Sequence, residues 1–290
     1  MVRRRESLRL DWLTGNVRDL RMRYERACRI IPSGAHEWRM VDAGDRRIRI
    51  LVHNPEIGGE RVIFYFHGGG WIVGSPATHA DISGPLSAAT GLTVISVDYR
   101  LAPEHKAPAA IDDGLAVLDH FRGLHFKSAI LCGDSAGGPL ALAVERRAVR
   151  ANILGVASLY GSFGLAANAS LHLGGRKRDG LDARTMRRYW MSANLSAGCG
   201  PYSIPSLAHA SGCPIYLLIA GRDPLRDDSI ALARALSDKG RPITVDLHPF
   251  EGHSFLQHPC ARRSKQIALQ RLAYWIGALA TSPAPATVFS

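Results

Sequence analysis

Cysteine and long apolar runs are both scarce in this 290-residue chain, and each absence excludes a class of protein. The five cysteines have no CxxC spacing, which supports neither a disulfide framework nor a zinc site. Because no run approaches 18 consecutive apolar residues, no transmembrane span is expected. The basic N-terminus has no apolar core behind it, so no secretory signal peptide is expected either. These absences predict a cytoplasmic protein whose thiols are reduced and mostly buried.

Lysine is also rare, and the positive charge of the chain is nearly all arginine. The 36 Lys and Arg residues exceed the 25 Asp and Glu residues, which gives a formal net charge of +11. The arginines are spread along the chain without the basic and aromatic interleaving that is typical of nucleic-acid binding. We therefore expect an arginine-rich, solvated surface and no nucleic-acid partner. The composition is that of a globular protein, and the length favours one domain, 1–290.

Short apolar runs alternate with helical patterns along most of the chain. Ile48, Ile50 and Val52 alternate with polar residues, as in a half-exposed strand. Further strands are predicted at 62–66, 93–97, 129–132, 153–159, 215–220 and 243–247. Helices are predicted at 108–121, 136–150, 227–239 and 262–279. This alternation is typical of α/β proteins with a mostly parallel sheet. The last predicted helix either covers the sheet or lines the interface of a homodimer.

Three segments depart from the alternation. Residues 1–35 carry apolar residues at steps of three and four, which predicts a helix that ends near Pro32. Residues 162–212 contain a predicted helix at 182–191 and are interpreted as an insertion over the sheet rather than a separate domain. The tail 281–290 combines prolines with small residues, so we predict that it is disordered.

The pentapeptide Gly133-Asp134-Ser135-Ala136-Gly137 lies between a predicted strand and an apolar helix. Glycine on either side of Ser135 permits a strand-to-helix turn that is too tight for larger side chains, and it leaves the hydroxyl exposed at the sheet edge. The pattern is typical of a nucleophile elbow. The alternative interpretation is a glycine-rich helix start with an idle serine.

A second motif, His67-Gly68-Gly69-Gly70-Trp71, follows an earlier predicted strand. Because side chains are missing from its centre, backbone N–H groups can point at the oxyanion of an acyl-transfer intermediate. Gly69 and Gly70, together with Ala136 after the nucleophile, are the predicted oxyanion hole. A phosphate-binding loop is the competing interpretation, but the G-x-G-x-x-G pattern and the P-loop lysine are absent.

A serine nucleophile needs a base, and the base needs a carboxylate that orients it. In this architecture the acid and then the base follow the serine, on loops after later strands. Asp223 comes just after the predicted strand 215–220, and His253 lies in the loop after 243–247. We therefore predict that Ser135, Asp223 and His253 form a catalytic triad.

Four other residues compete for these roles. His248 is the alternative base, but it lies too close to the end of its strand. Asp227 and Asp228 are alternative acids, although carboxylates at this point also favour the positive N-terminal end of the next helix. Glu251 precedes the predicted base in the chain and is interpreted as a solvated loop residue.

Taken together, the motifs resemble the hormone-sensitive-lipase-like branch of the α/β-hydrolases, also called the bacterial type IV lipase and esterase family. The matching segments are 67–71, 98–104, 133–138, 223–227 and 252–255. The resemblance implies a mostly parallel eight-stranded sheet flanked by helices, with a helical cap built from about 1–35 and 162–212. We call these two stretches the cap segments. The resemblance also implies the triad and the oxyanion hole that were predicted above from the motifs.

The function that this resemblance implies is hydrolysis of a carboxylic ester through an acyl-enzyme. A small, short-acyl ester is the expected substrate, and no metal or organic cofactor is expected. Amide or formamide hydrolysis at the same site, as in arylformamidases, is the alternative within enzymes. A non-catalytic ligand receptor of the same fold is the alternative outside enzymes, and the presence of His253 argues against it.

Overall fold

The centre of the computed structural model is one sheet with strand order β1-β2-β4-β3-β5-β6-β7-β8-β9. The structure describes residues 15–279 and 288–289, except 33, 56–59, 124–125, 150, 165–167, 175–180, 197 and 210–211. The strands are β1 His36–Asp42, β2 Arg47–His53, β3 Arg61–Phe66, β4 Thr93–Val97, β5 Ser128–Asp134, β6 Ile153–Leu159, β7 Ile215–Ala220, β8 Ile243–His248 and β9 Val288–Phe289.

The strand pairing is antiparallel at one side of the sheet and parallel across the rest. β2 pairs antiparallel with β1 and β4, whereas every pair from β4 through β3 to β9 is parallel. All residues of β4, β5 and β7 are buried, because helices cover both faces of the sheet there. This confirms the predicted α/β architecture with its mostly parallel eight-stranded sheet, to which the short β9 adds a ninth strand.

Helices pack on both faces of this sheet. The helices are α1 Val17–Cys28, α2 Ala80–Thr90, α3 Ala109–Arg122, α4 Gly137–Arg147, α5 Ala169–Gly174, α6 Ala183–Ser192, α7 Ile204–Leu207, α8 Arg226–Ser237 and α9 Arg262–Ala278. α2 and α9 share one buried apolar cluster, and α3, α4 and α8 share the other. Leu272, Trp275 and Ile276 of α9 are buried against the sheet, as expected of a helix that covers it.

The chain ends and the thiols differ in part from expectation. Most of the tail that is predicted to be disordered lies outside the described residues, as do residues 1–14, while Val288–Phe289 pair with β8. No disulfide joins the five cysteines, which all lie within the described ranges, and only Cys132 is buried, so the prediction of mostly buried thiols is wrong. Among the described helices, none is both long enough and apolar enough to cross a bilayer.

Candidate active site

Ser135 lies at a sharp turn between β5 and α4. Its backbone has a φ of +51°, and its N–H donates a 2.9 Å hydrogen bond to Leu159 O. A Cβ on Gly133 would lie 2.2 Å from Gly137 O, and a Cβ on Gly137 would lie 1.9 Å from Phe66 O. Neither position has room for a side chain, so the turn requires glycine on both sides of the serine.

The structure brings the three predicted triad residues together. His253 Nε2 lies 2.9 Å from Ser135 Oγ, and His253 Nδ1 lies 2.7 Å from Asp223 Oδ2. Asp223 is 3% exposed, and its Oδ1 accepts a hydrogen bond from the N–H of Leu225. The ring of Tyr160 packs edge-on against the imidazole with centroids 5.2 Å apart. The serine, imidazole and carboxylate therefore form one continuous hydrogen-bonded series.

The four competing residues have other partners. His248 Nε2 lies 3.0 Å from Asp246 Oδ2, within the end of β8. Asp227 and Asp228 accept hydrogen bonds from the second cap segment, which they fasten to α8. Glu251 accepts a hydrogen bond from the hydroxyl of a serine in α9. These contacts assign each of the four a structural role away from Ser135.

The predicted oxyanion residues lie on two neighbouring loops. Gly69 and Gly70 follow β3 with φ values of +115° and +61°, and Ala136 directly follows the serine. A Cβ on Gly69 would lie 2.2 Å from Val73 O, so glycine is required there. Within the described ranges, the N–H groups of these three residues donate no hydrogen bond to a protein acceptor. They are therefore free to bind an oxyanion.

A buried carboxylate that the sequence analysis gave no role holds this loop in place. Asp134 Oδ1 accepts hydrogen bonds from Gly68 N at 2.9 Å and from Tyr65 OH at 2.6 Å. Burial raises the pKa of Asp134 to about 6. His79 Nε2 lies 3.6 Å from Asp134 Oδ2, but burial lowers the pKa of His79 to about 4, so the pair is not ionic at neutral pH. In the sequence, this role is signalled only by a charged residue at the end of a largely apolar strand.

His67, the first residue of the glycine-rich motif, contacts Tyr99 and Gly68 and also has a structural role. Its ring stacks on Tyr99 with centroids 4.2 Å apart, and Tyr99 OH donates to His67 O. Burial lowers the pKa of His67 to about 3, so the ring is neutral and Nδ1–H donates to Gly68 O at 2.7 Å. This histidine orients the oxyanion loop and does not reach Ser135.

Both cap segments lie against the same loop. In the first, Arg21 of α1 donates from Nε to Ile72 O at 2.7 Å and from Nη2 to Ala102 O at 2.6 Å. In the second, the ring of Tyr189 of α6 covers Gly70, where a Cβ would lie 2.7 Å from Tyr189 Cδ2. The two segments therefore bound the space above the candidate site. No cluster of three metal-ligating side chains occurs in the part of the chain that the structure describes.

Comparison with known proteins agrees with this geometry. The family model for the alpha/beta hydrolase fold matches residues 63–257. An acetyl esterase of Salmonella schwarzengrund is 30% identical over 238 residues, which cover 74% of this chain and 71% of that protein. A solved esterase of Pyrobaculum calidifontis has a TM-score of 0.80 at 26% identity and covers 93% of this chain and 95% of its own. An alpha/beta hydrolase enzyme from the metagenome of Lake Arreo, Spain, has a TM-score of 0.83 at 25% identity, with 96% and 94% covered. The chain therefore belongs to the α/β-hydrolase fold family, in the hormone-sensitive-lipase-like branch that its motifs resemble.

Proposed function

We propose that this protein is a cytoplasmic carboxylic ester hydrolase that acts through an acyl-enzyme. One observation carries the proposal: Ser135 Oγ, the His253 imidazole and the Asp223 carboxylate are joined by contacts of 2.9 and 2.7 Å. The three unused N–H groups of Gly69, Gly70 and Ala136 supply the second requirement of acyl transfer. The reaction class is supported by relatives that are named acetyl esterase and esterase.

The first half of the reaction forms the acyl-enzyme. Ser135 Oγ attacks the carbonyl carbon of the ester, and His253 Nε2 accepts the hydroxyl proton. Asp223 accepts the hydrogen bond from His253 Nδ1–H, which holds the tautomer and stabilises the imidazolium. The tetrahedral oxyanion is bound by the oxyanion-hole N–H groups, each worth about 3 kcal/mol in enzymes of this chemistry. His253 Nε2–H then protonates the departing alcohol oxygen, and the C–O bond breaks.

The second half releases the acid. A water molecule attacks the acyl carbon while His253 Nε2 accepts one of its protons, and a second oxyanion forms in the same N–H groups. When this intermediate collapses, His253 returns the proton to Ser135 Oγ and the carboxylic acid leaves. No step requires a metal ion or an organic cofactor, since the side chains present supply the nucleophile, the base and the acid.

The decisive experiment is hydrolysis of p-nitrophenyl esters from acetate to palmitate by wild type, Ser135→Ala, Asp223→Asn and His253→Ala. We expect each variant to lose kcat by a factor of roughly 10⁴ or more. Asp227→Asn and His248→Gln are matched controls, because they change the rival acid and base, and we expect each to stay within about tenfold of wild type. Equal losses in a control and in its triad counterpart would contradict the assignment.

A short-acyl substrate is the finer part of the proposal. Tyr189 covers Gly70, and Tyr202 of the second cap segment stacks on Trp71 with centroids 5.3 Å apart. Ser135 itself is only 9% exposed beneath them. Large rings packed on the oxyanion loop leave little room for a long acyl chain, and acetyl esterases are among the relatives.

Truncation of the covering ring tests this limit. In Tyr189→Ala we expect the ratio of kcat/KM for the octanoate ester to that for the acetate ester to rise about tenfold or more, because each newly accommodated methylene contributes about 0.8 kcal/mol. Met191→Ala, on the exposed side of the same helix, is the control and leaves the ratio unchanged. An unchanged ratio in Tyr189→Ala would show that another element limits the acyl chain.

A pair of matched substrates distinguishes ester hydrolysis from the alternative of amide hydrolysis. We expect wild type to hydrolyse an aryl ester and to leave the matching N-formyl aryl amide nearly untouched. Preference for the amide, with Ser135 still reactive towards an organophosphonate, would retain the triad but reassign the substrate. Failure of Ser135 to react with the organophosphonate would overturn the enzymatic function itself.

A further inference from the structure

The positive charge of this protein is concentrated in the cap segments, which corrects the even spread expected from the arginines alone. Residues 1–35 and 162–212 contain 15 of the 36 Lys and Arg residues but only 6 of the 25 Asp and Glu residues. They therefore carry +9 of the net charge of +11, and the remaining 204 residues carry +2. The arginines are spread along the chain, but most of the carboxylates that balance them lie in the body.

In the described part of the cap, this charge lies on the outer side of two helices. α1 exposes Arg18, Arg23 and Arg26, and α6 exposes Arg184 and Arg187. None of the five forms an ion pair with another described residue. Their guanidinium groups are therefore directed to solvent rather than used to hold the fold.

The two helices present these arginines on the same side of the molecule. α1 buries Leu20 and reaches the oxyanion loop through Arg21, while α6 packs the ring of its buried Tyr189 on that same loop. Arg188 of α6 also donates to the backbone oxygen of residue 15, just before α1. Because both helices turn their buried sides towards one loop, their exposed sides together form one outer face, which we call the basic face.

Exposed apolar side chains lie among these charges. Met22 on α1 is 61% exposed, Ile31 just after α1 is 90% exposed, and Met191 on α6 is 68% exposed. A basic face that also presents apolar side chains is suited to the interface of an anionic bilayer, where arginines bind headgroups and apolar side chains enter the acyl boundary. A nucleic acid would leave these apolar groups without a partner.

We propose that the basic face docks this protein on the surface of an anionic lipid bilayer, with the cap directed towards the lipid. The protein would bind peripherally, through α1 and α6, and the ester site beneath them would face the membrane. The interaction rests on charge complementarity, so it weakens as salt screens it. It is independent of the proposed ester hydrolysis, since none of the exposed arginines contacts Ser135 or His253.

Co-sedimentation with vesicles tests the proposal on the full-length protein. We expect wild type to bind vesicles of phosphatidylcholine with phosphatidylglycerol at low salt, to bind phosphatidylcholine alone far more weakly, and to be released by high salt. The triple variant Arg18→Gln, Arg26→Gln, Arg187→Gln should partition roughly 100-fold more weakly, at about fivefold for each arginine. Met22→Ser should weaken vesicle binding at low salt and leave its salt sensitivity unchanged, because it removes an apolar contact and no charge.

The matched control removes three exposed arginines from the body. Arg47→Gln, Arg262→Gln, Arg263→Gln has the same change in charge, and we expect its vesicle binding to stay within about threefold of wild type. Hydrolysis of p-nitrophenyl acetate should be unchanged in both triple variants, which shows that they are folded. Equal loss of binding in the two triple variants would overturn the proposal, since net charge alone would then explain it. Binding to heparin without binding to anionic vesicles would also overturn it, in favour of another polyanion.

Discussion

The elbow around Ser135 and the cap segments above it are held in place in different ways. At the elbow, backbone atoms approach so closely that Gly133 and Gly137 cannot carry a side chain, and the turn lies between two elements that are largely buried. The cap is held by side chains that pack into the main apolar cluster and by side-chain hydrogen bonds, such as Arg21 to the oxyanion loop and Asp228 to the second cap segment. The position of the nucleophile is therefore set by the backbone, and the walls of its pocket are set by replaceable side chains.

This difference separates chemistry from selectivity. A substitution at the elbow moves the reacting atoms, and shifts of about 1 Å can cost roughly a hundredfold in rate. We expect a substitution in the cap to change which substrates reach the serine and to leave the hydrogen-bonded series of Ser135, His253 and Asp223 intact.

The strongest way to break the elbow is Gly137→Ala. The added methyl would lie 1.9 Å from Phe66 O, and backbone on both sides cannot yield without displacing β3 or α4. We expect the free energy of unfolding to fall by about 3 kcal/mol or more and esterase activity to be lost. Urea unfolding and p-nitrophenyl acetate hydrolysis measure the two effects.

Gly277→Ala is the matched control for this prediction. Gly277 lies in α9, and beyond its own stretch of helix no described atom lies within 4 Å of the point that an added methyl would occupy, so alanine should gain up to about 1 kcal/mol from helix propensity. Its activity should equal that of wild type. A Gly137→Ala protein that remained as stable as Gly277→Ala would show that the elbow is not sterically limited.

Removal of the Asp134 carboxylate tests how the oxyanion loop is tied to the elbow. Asp134→Ala leaves Gly68 N–H and Tyr65 OH buried without an acceptor, which costs about 1–3 kcal/mol for each group. We expect kcat to fall roughly 10- to 100-fold as the loop shifts. Asp134→Asn keeps an acceptor oxygen and should lose less than about tenfold. If both variants lost the same activity, the charge rather than the acceptor would be the important property.

The same residue gives a pH signature. Because burial raises the pKa of Asp134 to about 6 from an unfolded value of about 3.9, the folded state binds this proton more tightly than the unfolded state. Its contribution to the free energy of unfolding is full below about pH 4 and is lost as pH rises through about 6. Measured against Asp134→Asn, wild type should therefore lose up to about 3 kcal/mol between pH 4 and pH 7. If the difference in free energy of unfolding between wild type and Asp134→Asn did not change with pH, the raised pKa would be contradicted.

The smallest effects are expected at the outer edge of the cap. Arg21→Met removes the hydrogen bonds to Ile72 O and Ala102 O, so we expect a several-fold loss of kcat/KM through a displaced α1. Glu104→Gln removes only the exposed ion pair with Arg21, and such pairs contribute roughly 0.5 kcal/mol or less. Comparable losses of kcat/KM in the two variants would show that the ion pair with Glu104, and not the hydrogen bonds to the loop, holds α1 in place.

The elements that the sequence analysis found and missed differ in burial and composition. β4, β5 and β7 are buried on both faces and carry continuous apolar runs, so they were predicted with nearly their observed bounds. β1 was missed, since only Val41 of its seven residues is buried. α2 was missed because Gly84 and Pro85 interrupt its helical pattern, although burial in the tertiary structure stabilises it.

By itself, the sequence determined the alternation of strands and helices, the elbow at Ser135 and the order of the predicted acid and base. The alternation and the elbow depend on residues that are neighbours along the chain, where period and turn geometry act locally, and the order of acid and base follows from the loops that succeed the later strands. Only the tertiary structure decided that Asp134 would hold Gly68, 66 residues earlier, and that Arg21 would fasten Ile72, 51 residues later. Partners so far apart in sequence meet through the packing of the whole fold, and no local pattern encodes their distance.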